Sequence, residues 1–384
     1  MLLLLAVPVL VLLAQVLLAR FAPPSVAAAV ERRPRIAVLM PAHNEANGIA
    51  EVIAGVKAQL VGDDRLIVVA DNCSDDTAAI ARGLGAEVSE RFHNELRGKG
   101  YALDHGIRHL AEDPPEVVII VDADCLLGSG ALDRIARVAQ HSGRPVQALY
   151  LMHAPEGARP MRKIAEFAWV VKNLVRPLGF QRIGMPCQLM GTGMAFSWLQ
   201  LRNSELATGH IVEDMKLGVD LAKMDQAPLF CPDAMVYSHF PSSEAGAQTQ
   251  RTRWEHGHLS VILNQVPALL FSAIRSGNTA LAAMALDLCI PPLALLVMLV
   301  GSSWVLTLLI WLGLGLTAPF TFASVLLLAI LAAILLAWSG FGRSVLTLGE
   351  LLTAVSYVAK KLPLYLKFIV NRQVEWVRSK RDSE

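Results

Sequence analysis

Between Arg275 and Arg343 the chain carries a single charged side chain, Asp287, and between Met1 and Ala19 it carries none. A helix crossing a bilayer needs roughly 20 mostly apolar residues, and both regions meet that need. Leu288 to Leu316 and Thr321 to Trp338 read as a pair of spans within residues 285–342, joined through Thr317-Ala-Pro-Phe320. Asp287 and Pro291-Pro292 stand at the start of the pair, where an acid is expected at the membrane interface. Residues 1–20 read as a further transmembrane helix. They lack a basic leader region, so an uncleaved anchor is expected rather than a signal peptide. Arg20, Arg32, Arg33 and Arg35 follow this helix, and positive charge on that flank places the next domain in the cytoplasm. Residues 343–384 mix apolar positions with Lys360, Lys361, Lys367 and Arg372. They are expected to form an interfacial helix, Ser344 to Val370, and a basic cytoplasmic tail.

The remaining sequence is that of a folded domain. Only 17% of the whole chain is charged, against about 25% in ordinary soluble chains, and the deficit lies in the apolar regions. A net charge of +1 argues against a nucleic-acid partner. Cys73, Cys125, Cys187, Cys231 and Cys289 are scattered without a CxxC pair. They read as reduced, small packing residues of a cytosolic domain.

After a Pro/Ala linker at 21–34, short β-type runs alternate with helical patterns. Ile36–Met40, Leu66–Ala70 and Val117–Val121 are predicted strands. Ala46–Gln59, Thr77–Leu84 and Lys99–Leu110 are predicted helices, and Glu87–Ser89 is a short strand. This alternation implies an α/β fold with parallel βαβ units. Further on, helices are expected at Ala131–Gln140, Met161–Val175 and Val212–Lys223, with a strand at Gln147–Met152. Two short extended pieces are expected around Phe230 and at Met235–His239. Residues 241–275 contain an amphipathic stretch suited to an interface.

In parallel sheets, ligands bind beyond the carboxyl ends of the strands. His43, Asp71 and Asp122 each follow a predicted strand end, so three distant segments deliver polar groups to one edge. Asp122-Ala-Asp124 can share a hard divalent cation that bridges diphosphate oxygens, or it can simply close a strand with a polar turn. Asp71 can accept from a base edge, whereas Asp75 and Asp76 suit helix capping. Lys99, between two glycines at a helix start, can meet phosphate. Glu213-Asp214 offers a general base for an acceptor hydroxyl, or helix-start acids facing the dipole. Gln250, Arg253 and Trp254 share one face if their segment is helical. There the arginine can pair with a diphosphate and the indole can cover a sugar ring. Glu255, His256 and His258 lack the HExxH spacing and read as surface groups or as groups behind a site. His239 is a possible phosphate or metal contact.

Taken in order, these motifs resemble the inverting family 2 glycosyltransferases of GT-A (Rossmann-like) fold. They are most similar to the membrane branch that contains cellulose, chitin-oligosaccharide and hyaluronan synthases. Pro41-Ala-His-Asn-Glu45 resembles that family's opening loop, and Val69-Ala-Asp71-Asn-Cys-Ser-Asp75 its nucleotide-binding turn. Gly98-Lys99-Gly100, Asp122-Ala-Asp124, Val212-Glu213-Asp214 and Gln250-xx-Arg253-Trp254 match later motifs across roughly residues 35–260. Val212 replaces a threonine, and Asn72-Cys73 stands where Gly-Ser is common.

The resemblance implies a GT-A domain over 35–240 and a QxxRW-bearing interfacial segment over 241–275. It implies transfer from a nucleotide sugar, by analogy a UDP-sugar, with Mg2+ or Mn2+. Pro41, His43, Glu45, Asp71, Lys99, Asp122, Gln250 and Arg253 would then bind the donor. Asp122 and Asp124 would hold metal, and Asp214, with Glu213 beside it, would act as the base. Gly191, Thr192 and Trp254 would meet the acceptor. The expected partners are a nucleotide-sugar donor, a glycan or lipid-linked acceptor, and membrane lipids. Transfer of one sugar to a polyprenyl phosphate or glycolipid is the alternative within enzymes. A non-catalytic membrane scaffold is the alternative outside them.

Overall fold

The computed structural model describes residues 1–21, 32–155, 157–210, 212–241 and 244–370. Most of the linker expected at 21–34, and the basic tail beyond residue 370, lie outside them. The described chain forms two compact units. One takes in the chain from residue 32 to His153 and again from Pro186 to Arg253. The other takes in the first helix, Ala154–Met185 and the chain from Trp254 onward.

The first unit is an eight-stranded mixed sheet. Its strands are β1 (Ile36–Ala42), β2 (Arg65–Asp71), β3 (Glu87–Arg91), β4 (Val117–Ile120), β5 (Leu126–Leu127), β6 (Val146–His153), β7 (Met194–Ser197) and β8 (Leu229–His239). They are ordered β3-β2-β1-β4-β7-β6-β8-β5. β1, β2, β3 and β4 pair in parallel through helices Ile49–Lys57, Thr77–Gly83 and Lys99–Leu110, the alternation legible in the sequence. β7 runs antiparallel to β4 and β6, while β8 is parallel to β6. The chain winds from β1 to β2 and β3 on one side, then returns to place β4 on the other. The gap between the ends of β1 and β4 is therefore the switch point where such sheets bind ligands.

Two helices cover one sheet face. Leu103, Ile107 and Leu110 of Lys99–Leu110 and Leu217 and Leu221 of Glu213–Lys223 pack with Leu39, Ile67, Val69, Ile120 and Phe196. Each helix precedes a strand parallel to β1, so each begins at the edge where those strands end. Packing thus sets Lys99 and Glu213-Asp214 at one rim.

Pro41 sits inside β1, not in the loop after it. The β1–β4 pairing stops at Leu39↔Ile120, so no β4 partner needs the N–H that proline lacks. The two extended pieces expected near 230–239 are one strand. A register shift between Ala148 and Leu149 lets it absorb Pro232 as a bulge.

In the second unit, Leu2–Ala19, Leu293–Leu314 and Thr317–Gly342 are long and apolar enough to cross a membrane. Leucines such as Leu312 and Leu328, each 67% exposed, face outward from the latter two. The segment expected along the interface folds as two helices, Gln248–Asn264 and Val266–Ser276. They are bent by 47° and together pass the same test as a broken span or re-entrant loop. The helix expected over Ser344–Val370 is instead three: Leu348–Leu352, Ala354–Lys360 and Leu362–Val370. Pro363, lacking an N–H, cannot continue the second and sits in the first turn of the third.

Asp287, expected at the membrane interface, does not face outward from the protein. It is buried and accepts from Arg176 Nε at 3.0 Å, Arg176 Nη2 at 2.8 Å and Gln15 Nε2 at 2.7 Å. An acid in apolar surroundings needs such partners, because one buried charge left alone costs about 3–5 kcal/mol. Gln15 belongs to the first helix, whose backbone touches Gly179 so closely that a Cβ there would overlap Gln15 O.

Candidate active site

Beyond β4 the chain turns through Asp122, Ala123 and Asp124. The Asp122 N–H donates to Thr192 Oγ1 at 3.1 Å, and its carboxylate is ion-paired with Lys99 Nζ. The same ammonium donates to Gly191 O at 2.8 Å. Gly191 and Gly193 have φ of +90° and +65°, a backbone that glycine adopts without strain. A Cβ on Gly191 would lie 3.6 Å from Asp214 Oδ2 and 3.7 Å from Lys99 Nζ. Lys99, Asp122, Gly191, Thr192 and Asp214, from four separate segments, therefore meet at one point. At the start of the lysine's helix, a Cβ on Gly100 would fall 2.5 Å from Leu206 O and 2.7 Å from Thr208 O. Only glycine lets that helix start where it does.

Ligand atoms of Asp122, Asp124 and Cys125 lie within 4.8 Å of one another. Burial, followed by the nearby Asp124 and Asp122 charges, pushes the Cys125 thiol well above its ordinary pKa. It stays protonated, with its Sγ 3.4 Å from Asp124 Oδ1. Asp122 and Asp124 offer carboxylate oxygens, the hard donors that suit Mg2+ or Mn2+.

Three carboxylates, Asp122, Glu213 and Asp214, act on one ammonium here, with Asp124 close to Asp122. Burial opposes the charge on Lys99, but Asp122, Glu213 and Asp214 outweigh it and hold its pKa above the ordinary range. Burial raises Asp122, with Asp124 adding to the effect and Lys99 opposing it. Burial, then Asp214, pushes Glu213 up to about 7 from an ordinary 4.5, against the pull of Lys99. The folded protein accordingly binds a proton at Glu213 that the unfolded chain releases. That contribution to stability is complete below pH 4.5 and is lost as pH rises to about 7. Glu213→Gln removes the ionisation, so its thermal midpoint should rise relative to wild type between pH 5 and pH 8. An unchanged difference between the two melting curves across that range would refute this.

Asp71 is also buried. Its Oδ1 accepts from Arg91 Nη1 at 2.6 Å and from Asn72 Nδ2 at 3.1 Å. His43 Nδ1 lies 2.6 Å from Asp71 O, and a carbonyl only accepts, so that nitrogen carries the proton. The Glu45 N–H donates to Thr77 Oγ1 at 2.8 Å, and Asp75 accepts from the N–H groups of Ala46 and Thr77. The loops after β1 and β2 are thereby tied together. Asp75 thus meets the first N–H of the Thr77–Gly83 helix, while Asp76, at the N-cap, makes no side-chain capping bond.

Gln250 and Arg253 lie half-buried on the Glu244–Asn264 helix. Trp254, next along, packs on Trp169 with centroids 5.0 Å apart. His239 is exposed at the end of β8, 6.3 Å from the His153 ring. Glu255, His256 and His258 are not surface groups. Glu255 pairs with Lys361, while His256 and His258 are buried against the backbone carbonyls of Leu364 and Leu288.

Two residues of this region carry no sequence motif. Arg91 holds Asp71 and stacks 5.5 Å over Tyr101. Buried Gln147 accepts from the Met190 N–H at 2.7 Å and donates to Thr192 O at 2.9 Å, fixing the Gly191 turn from below. Its one trace in the sequence is a lone amide in the apolar run of β6.

Residues 34–257 match the family model described as "Glycosyltransferase like family 2". A 4,4'-diaponeurosporenoate glycosyltransferase of Staphylococcus haemolyticus is 26% identical over 246 residues, covering 60% of this chain and 62% of the relative. YdaM of Bacillus subtilis, named a probable glycosyltransferase, is 26% identical over 258 residues, covering 60% and 56%. The chain thus spans less than two thirds of the length of either. A mannosyltransferase of Pyrobaculum calidifontis, solved with GDP-Man and Mn2+, shares the fold. Its TM-score is 0.53 at 19% identity, over 86% of this chain and 99% of that one.

Proposed function

The chain belongs to the glycosyltransferase like family 2, and we propose that it is a membrane-held, inverting transferase that uses nucleotide sugars. Its donor is a UDP-sugar, its metal is Mg2+ or Mn2+, and its acceptor is a glycan at the membrane surface. The observation that carries this reading is the meeting of Lys99, Asp122 and Asp214 over Gly191. The apolar helices hold the domain to the bilayer, with the arginines after the first keeping it on the cytoplasmic side.

In this reading Asp214 takes the proton of an acceptor hydroxyl, and the freed oxygen attacks the anomeric carbon as the bond to the diphosphate breaks. Negative charge then builds on the leaving diphosphate. Lys99 and Arg253 meet that charge, and a cation on Asp122 and Asp124 would neutralise it as a Lewis acid. Pro41, His43, Glu45 and Asp71 shape the nucleotide loop, and Gln250 adds a donor from its helix. Gly191, Thr192 and Trp254 face the acceptor.

A second reading is single transfer to a lipidic acceptor. The Staphylococcus relative, whose name gives diaponeurosporenoate rather than a polysaccharide, favours it. The test is nucleotide release by the full-length protein in nanodiscs, with a panel of UDP- and GDP-sugars and Mn2+. Sizing the radiolabelled product then separates a ladder from one discrete species. Neither release nor binding with any donor would overturn both readings and leave the scaffold.

A further inference from the structure

The residue after Trp254 is held by a distant part of the chain. Glu255 is ion-paired with Lys361 Nζ, and the two side chains are 11% and 9% exposed. Lys361 links the Ala354–Lys360 and Leu362–Val370 helices, and its ammonium lies 5.0 Å from the Tyr357 ring centroid. His256 Nε2 is 3.2 Å from Leu364 O, and its ring meets Phe368 edge-on at 5.2 Å. Leu259 packs on Tyr365 and Phe368, with Ile262, Leu295, Met298 and Leu364 around them. Residues 361–368 are thus laid along the Glu244–Asn264 helix from Glu255 onward.

A buried ion pair adds little net stability, because desolvating both charges offsets their attraction. It is far stricter about geometry than the leucines beside it. Apolar contacts tolerate small rotations of a helix, whereas a hydrogen-bonded charge pair fixes rotation and height together. Residues of a helix turn as one body, at about 100° per position. Fixing Glu255 therefore fixes Gln250, Arg253 and Trp254.

We propose that Lys361 is a positioning residue for sugar transfer. Its ion pair with Glu255 holds the Glu244–Asn264 helix in the register at which Gln250, Arg253 and Trp254 serve the reaction. Lys361 itself touches no substrate. The proposal rests on the reading that those three residues act on donor and acceptor.

The test uses the full-length protein in nanodiscs and three variants. In Glu255→Leu/Lys361→Met the pair becomes apolar, with no buried charge left alone, so the fold should persist even where Lys361→Met by itself would not. Lys361→Arg keeps the charge, and Arg253→Ala probes the underlying reading. The double variant should melt close to wild type, while kcat falls about tenfold to a hundredfold, as for a reacting group displaced by about 1 Å. Lys361→Arg should recover most of that rate. If the double variant keeps wild-type kcat while Arg253→Ala loses activity, the positioning role is wrong and the pair is structural only. If Arg253→Ala also keeps its rate, the reading of the helix falls and the proposal with it.

Discussion

Asp214→Asn should lower the rate of sugar transfer by about 10²–10⁴-fold, the usual contribution of a positioned general base. The carboxamide matches the carboxylate in size and can still accept a hydrogen bond, but it cannot take the acceptor's proton. Nucleotide affinity should hold or improve, because the substitution removes one of three carboxylates acting on Lys99. The measurement is single-turnover transfer at saturating donor, with nucleotide binding followed separately by titration. A loss of affinity equal to the loss of rate would make Asp214 a binding residue. Wild-type rate in Asp214→Asn with a large loss in Glu213→Gln would move the base to Glu213. That outcome has a physical basis, because burial and Asp214 bring Glu213 up to about 7, near the working pH of a base.

The parts of this site legible in the sequence are those whose chemistry and position coincide. Lys99 opens a helix whose limits, Lys99–Leu110, follow from its apolar spacing and flanking glycines. Asp122 follows a buried run that can only be a strand, and Asp214 begins a helix packed on the same sheet face. Each rim position follows from local pattern together with the rule for parallel sheets. What local pattern does not reveal is the partner of a buried polar group. Asp71 is held by Arg91 from β3, a strand of Glu-Val-Ser-Glu-Arg with almost no apolar signal. Gln147 supports the Gly191 turn across 45 residues of sequence. Asp287 reads as interfacial from its place at the start of an apolar pair, and nothing there reveals that Arg176 and Gln15 close on it. The same holds for Glu255, whose partner lies 106 residues away.

Asp124→Asn should weaken Mn2+ binding in the presence of UDP by more than the roughly 10–100-fold typical of losing a residue that merely supports a ligand. Transfer should fall by about 10²–10³-fold, because Lewis-acid stabilisation of a leaving diphosphate amounts to several kcal/mol. Asp122→Asn should do the same to the metal and also release Lys99, whose ammonium is ion-paired with that carboxylate. The two variants should therefore separate in nucleotide binding measured without metal, where only Asp122→Asn departs from wild type. Cys125→Ser should leave Mn2+ affinity nearly unchanged, since Mn2+ favours the carboxylate oxygens of Asp122 and Asp124 over sulfur. Chelation should silence the wild-type enzyme, with Mg2+ or Mn2+ restoring it. Zn2+, which binds best where thiolate or imidazole is available, should restore it poorly. Titration of Mn2+ by electron paramagnetic resonance reads the metal directly, without turnover. Full Mn2+ affinity in both aspartate variants would show that the cation, if one is used, is held elsewhere. The crowd of acids around Lys99 would then need another explanation.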